Sequence, residues 1–240
     1  MDFRIFDTAE EIARVCADYY SALLQKKPDA VLGFATGASP IPTYRELIRR
    51  NHSGALSFRN VTTFNLDEYC ELPREDKNSY YTFMHENLFS QIDIREENVH
   101  LLNGNAADLN AEAAAYEQAI GTAGGIDLQL LGIGTNGHIG FNEPADHFTN
   151  KTFVVELAKS TVTSNKIYFE NGAMPTHAIT MGIGTIFAAR QIILIATGSK
   201  KAKAIGMTVN GDITPRCPAS VLQFHPNTVL LLDKEAAAEL

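Results

Sequence analysis

Residues 127–137 read DLQLLGIGTNG, an apolar run that stops at glycines. Three other segments have the same form and are followed by helix-like sequence: VLGFATGASP at 31–40, AITMGIGTIF at 178–187 and IILIATGSKK at 192–201. Continuous apolar strands that alternate with helices are typical of a sheet that is covered on both faces. The chain is therefore predicted to be an α/β protein with a mostly parallel open sheet and helices on both faces.

The remaining elements are predicted from apolar runs and helical periodicity. VTTFNLDEY at 61–69 and TVLLLD at 228–233 predict two more strands, and TFVVELA at 152–158 fits an antiparallel addition. Helices are predicted at 9–25, 40–50, 79–90, 111–121, 163–170 and 199–209. We expect Ser39 to cap the second helix, with Pro40 as its first residue.

The composition indicates a globular protein with a sizeable core, since 45% of the residues are hydrophobic and 20% are charged. One domain spanning residues 1–240 is expected. The first residues, MDFRIFDTAE, carry no apolar signal region, and no apolar run approaches the roughly 18 residues of a membrane span. Cys16, Cys70 and Cys217 form no CxxC pair and indicate free thiols, so a cytoplasmic location is expected.

The formal net charge of -8 opposes nonspecific attraction to nucleic acid or to an anionic membrane. Neither is an expected partner. A local basic pocket for a phosphate group remains compatible with this charge. The sequence leaves open whether the chain is a monomer or a homo-oligomer.

The segment ATGASP places Thr36, Gly37, Ala38 and Ser39 between a strand and a helix. Free backbone N–H groups, two hydroxyls and the positive end of the helix dipole can all face an anion there. The pattern is neither a Walker A motif nor GxGxxG, so it does not imply a nucleotide. A tight strand-to-helix turn with an ordinary serine cap is the alternative.

The segment GSKKAKAI places Lys200 and Lys201 in the first turn of a predicted helix, where a cation is unfavourable against the helix dipole. This position indicates an anionic partner. A solvated surface lysine is the alternative for Lys200.

The segment FNLDEYCELPREDKNSYY places Asp67 and Glu68 at the end of a strand, before a helix capped by Asn78 or Ser79. An acid at a strand end often caps a turn or pairs with a lysine, and this alternative stays open. However, ligands of open α/β sheets lie beyond the carboxyl ends of the strands. A carboxylate at this edge could remove a carbon-bound proton from a sugar.

The segment GIGTNGHIGFNEP at 132–144 combines glycines, which let the backbone approach a ligand closely, with His138 and Glu143. An imidazole beside a carboxylate can pass a proton to or from a ring oxygen. The two residues do not form HExxH and no Cys/His cluster accompanies them, so neither a metal nor another cofactor is expected.

Four motifs in this order, LGFATGASPIPTY, FNLDEYCELP with NSYY, GIGTNGHIGFNEP and ATGSKKAKAI, resemble those of the glucosamine-6-phosphate deaminases. The resemblance covers nearly the whole chain. LDEY together with GHIGFNEP is specific to these deaminases, whereas TG.SP alone is shared with 6-phosphogluconolactonases. The resemblance implies a Rossmann-like sheet of the deaminase and 6-phosphogluconolactonase type.

The activity implied by the resemblance is the metal-free conversion of glucosamine 6-phosphate and water to fructose 6-phosphate and ammonia, in amino-sugar catabolism. By the family pattern Asp67 moves the proton between C2 and C1. His138, assisted by Glu143 and in one group with Asn136, opens the sugar ring. The residues implied to hold the 6-phosphate are Thr36, Gly37, Ala38, Ser39 and Lys201.

Three features depart from the patterns of other deaminases. Asn136 stands where many of them have an aspartate. The family tends to place a phosphate-binding arginine in the helix predicted at 163–170, where this chain has Lys166 one position early. The chain stops after a short predicted helix, KEAAAEL, so we expect no allosteric site of the kind associated with longer deaminases.

Two alternatives belong to other functional classes. A 6-phosphogluconolactonase would use the same turn, Thr36–Ser39, to hold a phosphate and a histidine to activate water. The LDEY motif before the NSYY helix argues against this alternative. A sugar-phosphate sensor of a transcription regulator would carry an additional DNA-binding segment, and the sequence shows no basic recognition helix.

Overall fold

The structure is a computed structural model that describes residues 1–157, 169 and 174–240. Its strands are β1 (Asp2–Phe6), β2 (Val31–Phe34), β3 (Thr62–Asn65), β4 (Asp67–Tyr69), β5 (Val99–His100), β6 (Leu128–Leu131), β7 (Phe153–Glu156), β8 (His177–Thr180), β9 (Ile192–Ala196) and β10 (Thr228–Asp233). Its helices are α1 (Ala9–Lys26), α2 (Ile41–His52), α3 (Tyr80–Asn87), α4 (Leu109–Thr122), α5 (Ile183–Phe187) and α6 (Ala202–Asn210). Short 3-10 turns are Phe89–Gln91, Glu96–Asn98, Ser199–Lys201 and Pro218–Phe224. No helix among these residues is long and apolar enough to cross a membrane.

Seven strands form one parallel sheet in the order β1-β10-β9-β6-β2-β3-β5. Buried side chains of α1, α2 and α3 form a hydrophobic cluster on one face, and those of α4, α5 and α6 belong to a second cluster on the other. The central strands β6 and β9 are buried along their whole length, because both of their faces are covered. The predicted open α/β sheet is confirmed.

A second, smaller sheet has the order β4-β8-β7 and is antiparallel. The antiparallel addition expected at 152–158 is its strand β7. The single strand predicted at 61–69 is wrong, because the chain forms β3 in the large sheet and β4 in the small one. Leu66 makes the crossing: its N–H donates to the Phe34 carbonyl (3.1 Å), while its own carbonyl accepts from the Met181 N–H (2.8 Å).

The strand predicted from 178 onward also lies in the small sheet, as β8, rather than in the parallel one. The pattern did not indicate β1, which is an edge strand whose residues are mostly exposed, nor β5, which has only two residues. Because an edge strand buries few side chains, it lacks the continuous apolar run of a central strand.

Several predicted helix ends differ from the observed ones. Helix α2 begins after Pro40 and has no side-chain cap, so the predicted Ser39 cap is wrong. Ser79 does cap α3, since its hydroxyl accepts the Thr82 N–H at 3.0 Å. The KEAAAEL segment forms turns rather than a helix. The helix predicted at 163–170, with Lys166, lies outside the described residues.

An ion cluster at the amino ends of the strands holds the start of β2 and of β6 together. The buried carboxylate of Asp127 accepts from Lys27 Nζ (2.7 Å), from the Val31 N–H (2.8 Å) and from Arg190 Nη1 (3.1 Å). Since each Asp127 oxygen has a donor, burial of this carboxylate is compensated. The cluster joins the end of α1 to two strands and to the segment before β9.

We expect Asp127→Ala to lower the free energy of unfolding by about 1–3 kcal/mol, because the Val31 N–H and Lys27 lose their buried acceptor. Urea denaturation measures this change. Asp7→Ala is the matched control: Asp7 pairs with Lys234 at the surface, so no measurable change is expected. Equal losses in the two variants would contradict the role of Asp127.

Candidate active site

Three loops meet at the carboxyl ends of adjacent strands. The Thr36–Ser39 turn follows β2, the glycine-rich segment 132–144 follows β6, and Lys201 follows β9. Lys201 Nζ donates to the carbonyl oxygen of Ile133 at 2.6 Å, so the loops after β6 and β9 touch. Asp67 faces the same glycine-rich segment, because a Cβ added at Gly140 would lie 3.4 Å from its Oδ2.

The Thr36–Ser39 turn presents its backbone N–H groups without internal partners. Gly37 has a φ of 105°, a conformation that favours glycine, and bends the chain here. No hydrogen bond joins the N–H groups of the four turn residues to any acceptor in the described part of the chain. The Thr36 side chain contacts the hydroxyl of Tyr80 on α3. The turn therefore offers several N–H donors beside the first residues of α2.

The two neighbouring lysines differ in exposure. Lys200 is exposed, whereas Lys201 is half-buried in the 3-10 turn that leads into α6. Burial lowers the pKa of Lys201. An anion at this edge would offset that effect by stabilising the ammonium form.

Asp67 and Glu68 are both buried but have different surroundings. Glu68 accepts the backbone N–H groups of Tyr69 (2.8 Å), Tyr80 (2.9 Å) and Tyr81 (2.8 Å), and so holds the amino end of α3 against β4. Burial raises the pKa of Glu68, while these donors oppose the rise. Glu68 is thus a supporting residue of the site that the sequence analysis did not assign.

No described residue donates a hydrogen bond to the Asp67 carboxylate. Burial, together with the charge of Glu68, raises the pKa of Asp67 to about 8. A buried carboxylate with a pKa near the working pH is suited to taking and returning a proton.

His138, Asn136 and Glu143 form one hydrogen-bonded group. His138 Nδ1 lies 2.8 Å from Asn136 Oδ1 and 3.4 Å from Glu143 Oε1, and Asn136 Nδ2 donates to Glu143 Oε2 at 2.7 Å. Because the carboxylate can only accept, the amide nitrogen must face Glu143 and the amide oxygen must face His138. His138 Nδ1 therefore carries a proton, and Nε2 of the neutral ring is left with its lone pair.

A glycine and an asparagine shape this segment. A Cβ added at Gly134 would lie 2.2 Å from Cε1 of the His138 ring, so only glycine leaves space for the imidazole. Asn142 Nδ2 donates to the carbonyls of Ile139 and Met181, both at 2.9 Å, and its oxygen accepts from the Thr149 hydroxyl. Asn142 thus fixes the turn between His138 and Glu143 and is not free for a ligand.

Aromatic side chains line the space beside β4. Tyr80 stacks on Phe141 at 6.0 Å, and Tyr69 packs against both rings at 4.8 Å and 5.6 Å. The sequence pattern did not identify Tyr80 as a residue of the site, because its position depends on the hydrogen bonds from the amino end of α3 to Glu68. Within the described ranges, no group of three or more His, Cys, Asp or Glu side chains is arranged to hold a metal ion.

The family model described as glucosamine-6-phosphate isomerases/6-phosphogluconolactonase matches residues 6–231. The glucosamine-6-phosphate deaminase of Lysinibacillus sphaericus (strain C3-41) is 53% identical over 226 residues, which cover 94% of this chain and 95% of the relative. This chain belongs to the glucosamine-6-phosphate deaminase family. The deaminase of Alkaliphilus oremlandii (strain OhILAs) is 46% identical, and the alignment covers 100% of both chains.

Solved structures agree with this assignment. A monomeric glucosamine-6-phosphate deaminase superposes with a TM-score of 0.96 at 44% identity and covers 100% of both chains. The 6-phosphogluconolactonase of Thermotoga maritima gives a TM-score of 0.76 at 18% identity over 97% of this chain and 99% of the other, which reflects the shared fold alone. The protein is an enzyme of carbohydrate metabolism with glucosamine-6-phosphate deaminase activity, and the resemblance seen in its motifs is confirmed.

The raised pKa of Asp67 predicts how stability depends on pH. Between the ordinary aspartate pKa of 3.8 and about 8, Asp67 is ionised in the unfolded chain but protonated in the folded deaminase, so its contribution to stability falls as the pH rises. Asp67→Asn does not titrate. We therefore expect its melting temperature to exceed that of the wild type by a margin that grows from pH 5 to pH 8.

Thermal unfolding at several pH values measures this margin. The exposed Asp29, changed to Asn, is the control and should show no such trend. A margin for Asp67→Asn that is constant or shrinks with rising pH would contradict the raised pKa.

Proposed function

We propose that the deaminase converts glucosamine 6-phosphate and water to fructose 6-phosphate and ammonia with Asp67 as the group that moves the proton between C2 and C1. The observation that carries this role is a buried carboxylate without a hydrogen-bond donor in the described structure, with a pKa raised to about 8. Such a group is poised near neutral pH to take a proton and to return it.

The phosphate of the substrate is held by the Thr36–Ser39 turn and by Lys201. Support comes from the N–H groups of Thr36, Gly37, Ala38 and Ser39, which have no acceptor among the described residues. Further support comes from half-buried Lys201, in the turn after β9, which lies two strands from β2 in the sheet. N–H donors at the start of a helix and a cation together favour a dianion.

Ring opening uses His138. Its Nε2 lone pair accepts the proton of the C1 hydroxyl, and the resulting imidazolium returns a proton to the ring oxygen as the C1–O bond to the ring breaks. Asn136 holds the ring in the required tautomer, and the Glu143 carboxylate, 3.4 Å from Nδ1, stabilises the imidazolium.

In the open-chain aldehyde, Asp67 removes the proton from C2, while the ammonium group on C2 gives one of its protons to the aldehyde oxygen and becomes the amine of the enolamine. The enolamine so formed takes the proton from Asp67 at C1, which leaves a protonated imine at C2. Water adds to this carbon and ammonia departs, giving the ketose. Each step uses groups of the chain and the substrate, and no cofactor is part of the proposal.

We also propose that the enzyme works as a monomer in the cytoplasm, without nucleic acid or membrane partners. The matched structure with a TM-score of 0.96 is described as a monomeric deaminase. The three cysteines Cys16, Cys70 and Cys217 are free and buried, which suits a reducing compartment. Sedimentation over a range of protein concentrations tests the monomer.

Asp67→Asn should lower kcat by about a hundredfold or more, the usual contribution of a positioned acid-base group. The inhibition constant of inorganic phosphate should stay within about twofold of the wild-type value, because the Thr36–Ser39 turn is unaltered. Exchange of the C2 proton with solvent deuterium is measured alongside turnover. Near-normal exchange in this variant would refute the assignment, and Asp29→Asn serves as the control.

Asn136→Asp should retain turnover and raise the pKa of His138. The new carboxylate would lie against Nδ1 and would also face Glu143 Oε2, where the amide now sits 2.7 Å away. Its negative charge favours the imidazolium, while the two close carboxylates share a proton. NMR titration of the His138 ring, with its signal identified in His138→Gln, measures the pKa. Complete loss of activity would mean that the amide itself is required.

A further inference from the structure

Building on the roles proposed above for Asp67 and for the phosphate turn, we propose that Tyr44 and Tyr116 are positioning residues for the deamination. Each phenol hydroxyl forms hydrogen bonds to the backbone at the end of one parallel strand, where the chain leaves the sheet and enters the site. Tyr116 bonds to the end of β3, which leads to Asp67, and Tyr44 bonds to the residue after β2, which leads to Thr36.

The Tyr116 hydroxyl replaces a missing strand partner at the end of β3. It accepts the Asn65 N–H at 2.9 Å and lies 2.9 Å from the Asn65 carbonyl and 3.0 Å from the His100 carbonyl, so it can donate to either. Strand β5, the neighbour of β3 on this side, ends at His100 and leaves Asn65 beyond the ladder. The hydroxyl of a helix residue therefore satisfies a backbone N–H that would otherwise be buried and unpaired.

The Tyr44 hydroxyl does the same at the end of β2. It accepts the Ala35 N–H at 3.3 Å and donates to the Ala35 carbonyl. Ala35 directly follows β2 and directly precedes Thr36, while Tyr44 is the fourth residue of α2. One hydroxyl thus ties together the two ends of the Thr36–Ser39 turn, the strand before it and the helix after it.

The hydrogen bonds of the two hydroxyls affect different parts of the site. From Asn65 the chain reaches Asp67 through Leu66 alone, whose N–H is bonded to Phe34 and whose carbonyl is bonded to Met181. A shift of Asn65 therefore moves the carboxylate that transfers the proton. A shift of Ala35 moves the N–H groups that face the phosphate.

Both phenols keep their proton, which lets one hydroxyl accept and donate at once. Tyr44 and Tyr116 are buried, with 0% and 5% of their surface exposed. Burial raises the pKa of each well above its ordinary value. Both rings pack edge-on against a core phenylalanine, Tyr44 on Phe34 at 5.7 Å and Tyr116 on Phe64 at 5.4 Å. Replacement by phenylalanine would keep this packing and remove only the hydroxyl.

Tyr20 provides a matched control. It is also fully buried and packs against Phe34, at 5.7 Å, but its hydroxyl has no hydrogen-bond partner in the described part of the chain. Tyr20→Phe should therefore leave kcat, KM and phosphate inhibition unchanged.

The experiment compares Tyr44→Phe, Tyr116→Phe and Tyr20→Phe in the full chain. Tyr44→Phe should raise KM for glucosamine 6-phosphate and the inhibition constant of inorganic phosphate by about threefold to tenfold, with kcat within about twofold, as expected for one lost hydrogen bond. Tyr116→Phe should lower kcat by a similar factor, leave phosphate inhibition unchanged and raise the isotope effect of C2-deuterated substrate. Parallel changes of kcat and KM in both variants, or the same changes in Tyr20→Phe, would overturn the proposal.

Amide hydrogen exchange in the folded enzyme tests the hydrogen bonds of the two tyrosine hydroxyls independently of enzyme kinetics. The Ala35 and Asn65 N–H groups should be protected in the wild type and should exchange faster only in the variant that lacks their own tyrosine hydroxyl. Rapid exchange of both groups in the wild type would overturn the proposal, even where a variant failed to fold. Turnover by Asp67→Asn would instead overturn the role of Asp67, so the two failures are distinguishable.

Discussion

The site depends on one change of hydrogen-bond partner in the backbone at Leu66. Its N–H belongs to the parallel sheet through Phe34, and its carbonyl belongs to the small sheet through Met181. Buried backbone groups must be paired, so the chain can pass between two sheets only where each group finds a partner on one side or the other. Asp67 follows this residue and pairs with Thr180 across the small sheet. It is therefore part of a strand and buried, and not a residue of a surface loop.

Asn136 orients the side chains of His138 and Glu143 without adding a charge to the site. Asp67 and Glu68 already place two buried carboxyl groups at this edge of the sheet, and the partly buried carboxylate of Glu143 lies beside His138. A neutral amide accepts from the imidazole and donates to Glu143, so it orders both partners by the direction of its own dipole. An aspartate in its place would need a shared proton to contact Glu143. The neutral amide adds no charge beside the imidazole, which suits the role proposed for His138 in ring opening.

Much of the fold could be predicted from the sequence, because buried parallel strands read as apolar runs and their loops begin at glycines. The same pattern placed Thr36, His138 and Lys201 after strands that prove to be close neighbours in the sheet. The split of 61–69 could not be predicted, since it depends on hydrogen bonds from Leu66 to residues distant in the chain. The Ser39 cap failed because Pro40 takes the cap position of α2. Glu68 and Tyr80 were missed as parts of the site because contacts across α3 leave no periodic signal.

The contact between Gly134 and His138 sets a limit on how this family member can vary. The imidazole occupies the volume that the first carbon of any other side chain would need. Even alanine at 134 would push the ring away from Asn136 and break the tautomer-setting bond. In a library of random substitutions, glycine should therefore be strongly enriched at position 134 among active clones, although its backbone angles are accessible to other residues. The intolerance comes from the neighbour's side chain and not from the conformation of the glycine itself.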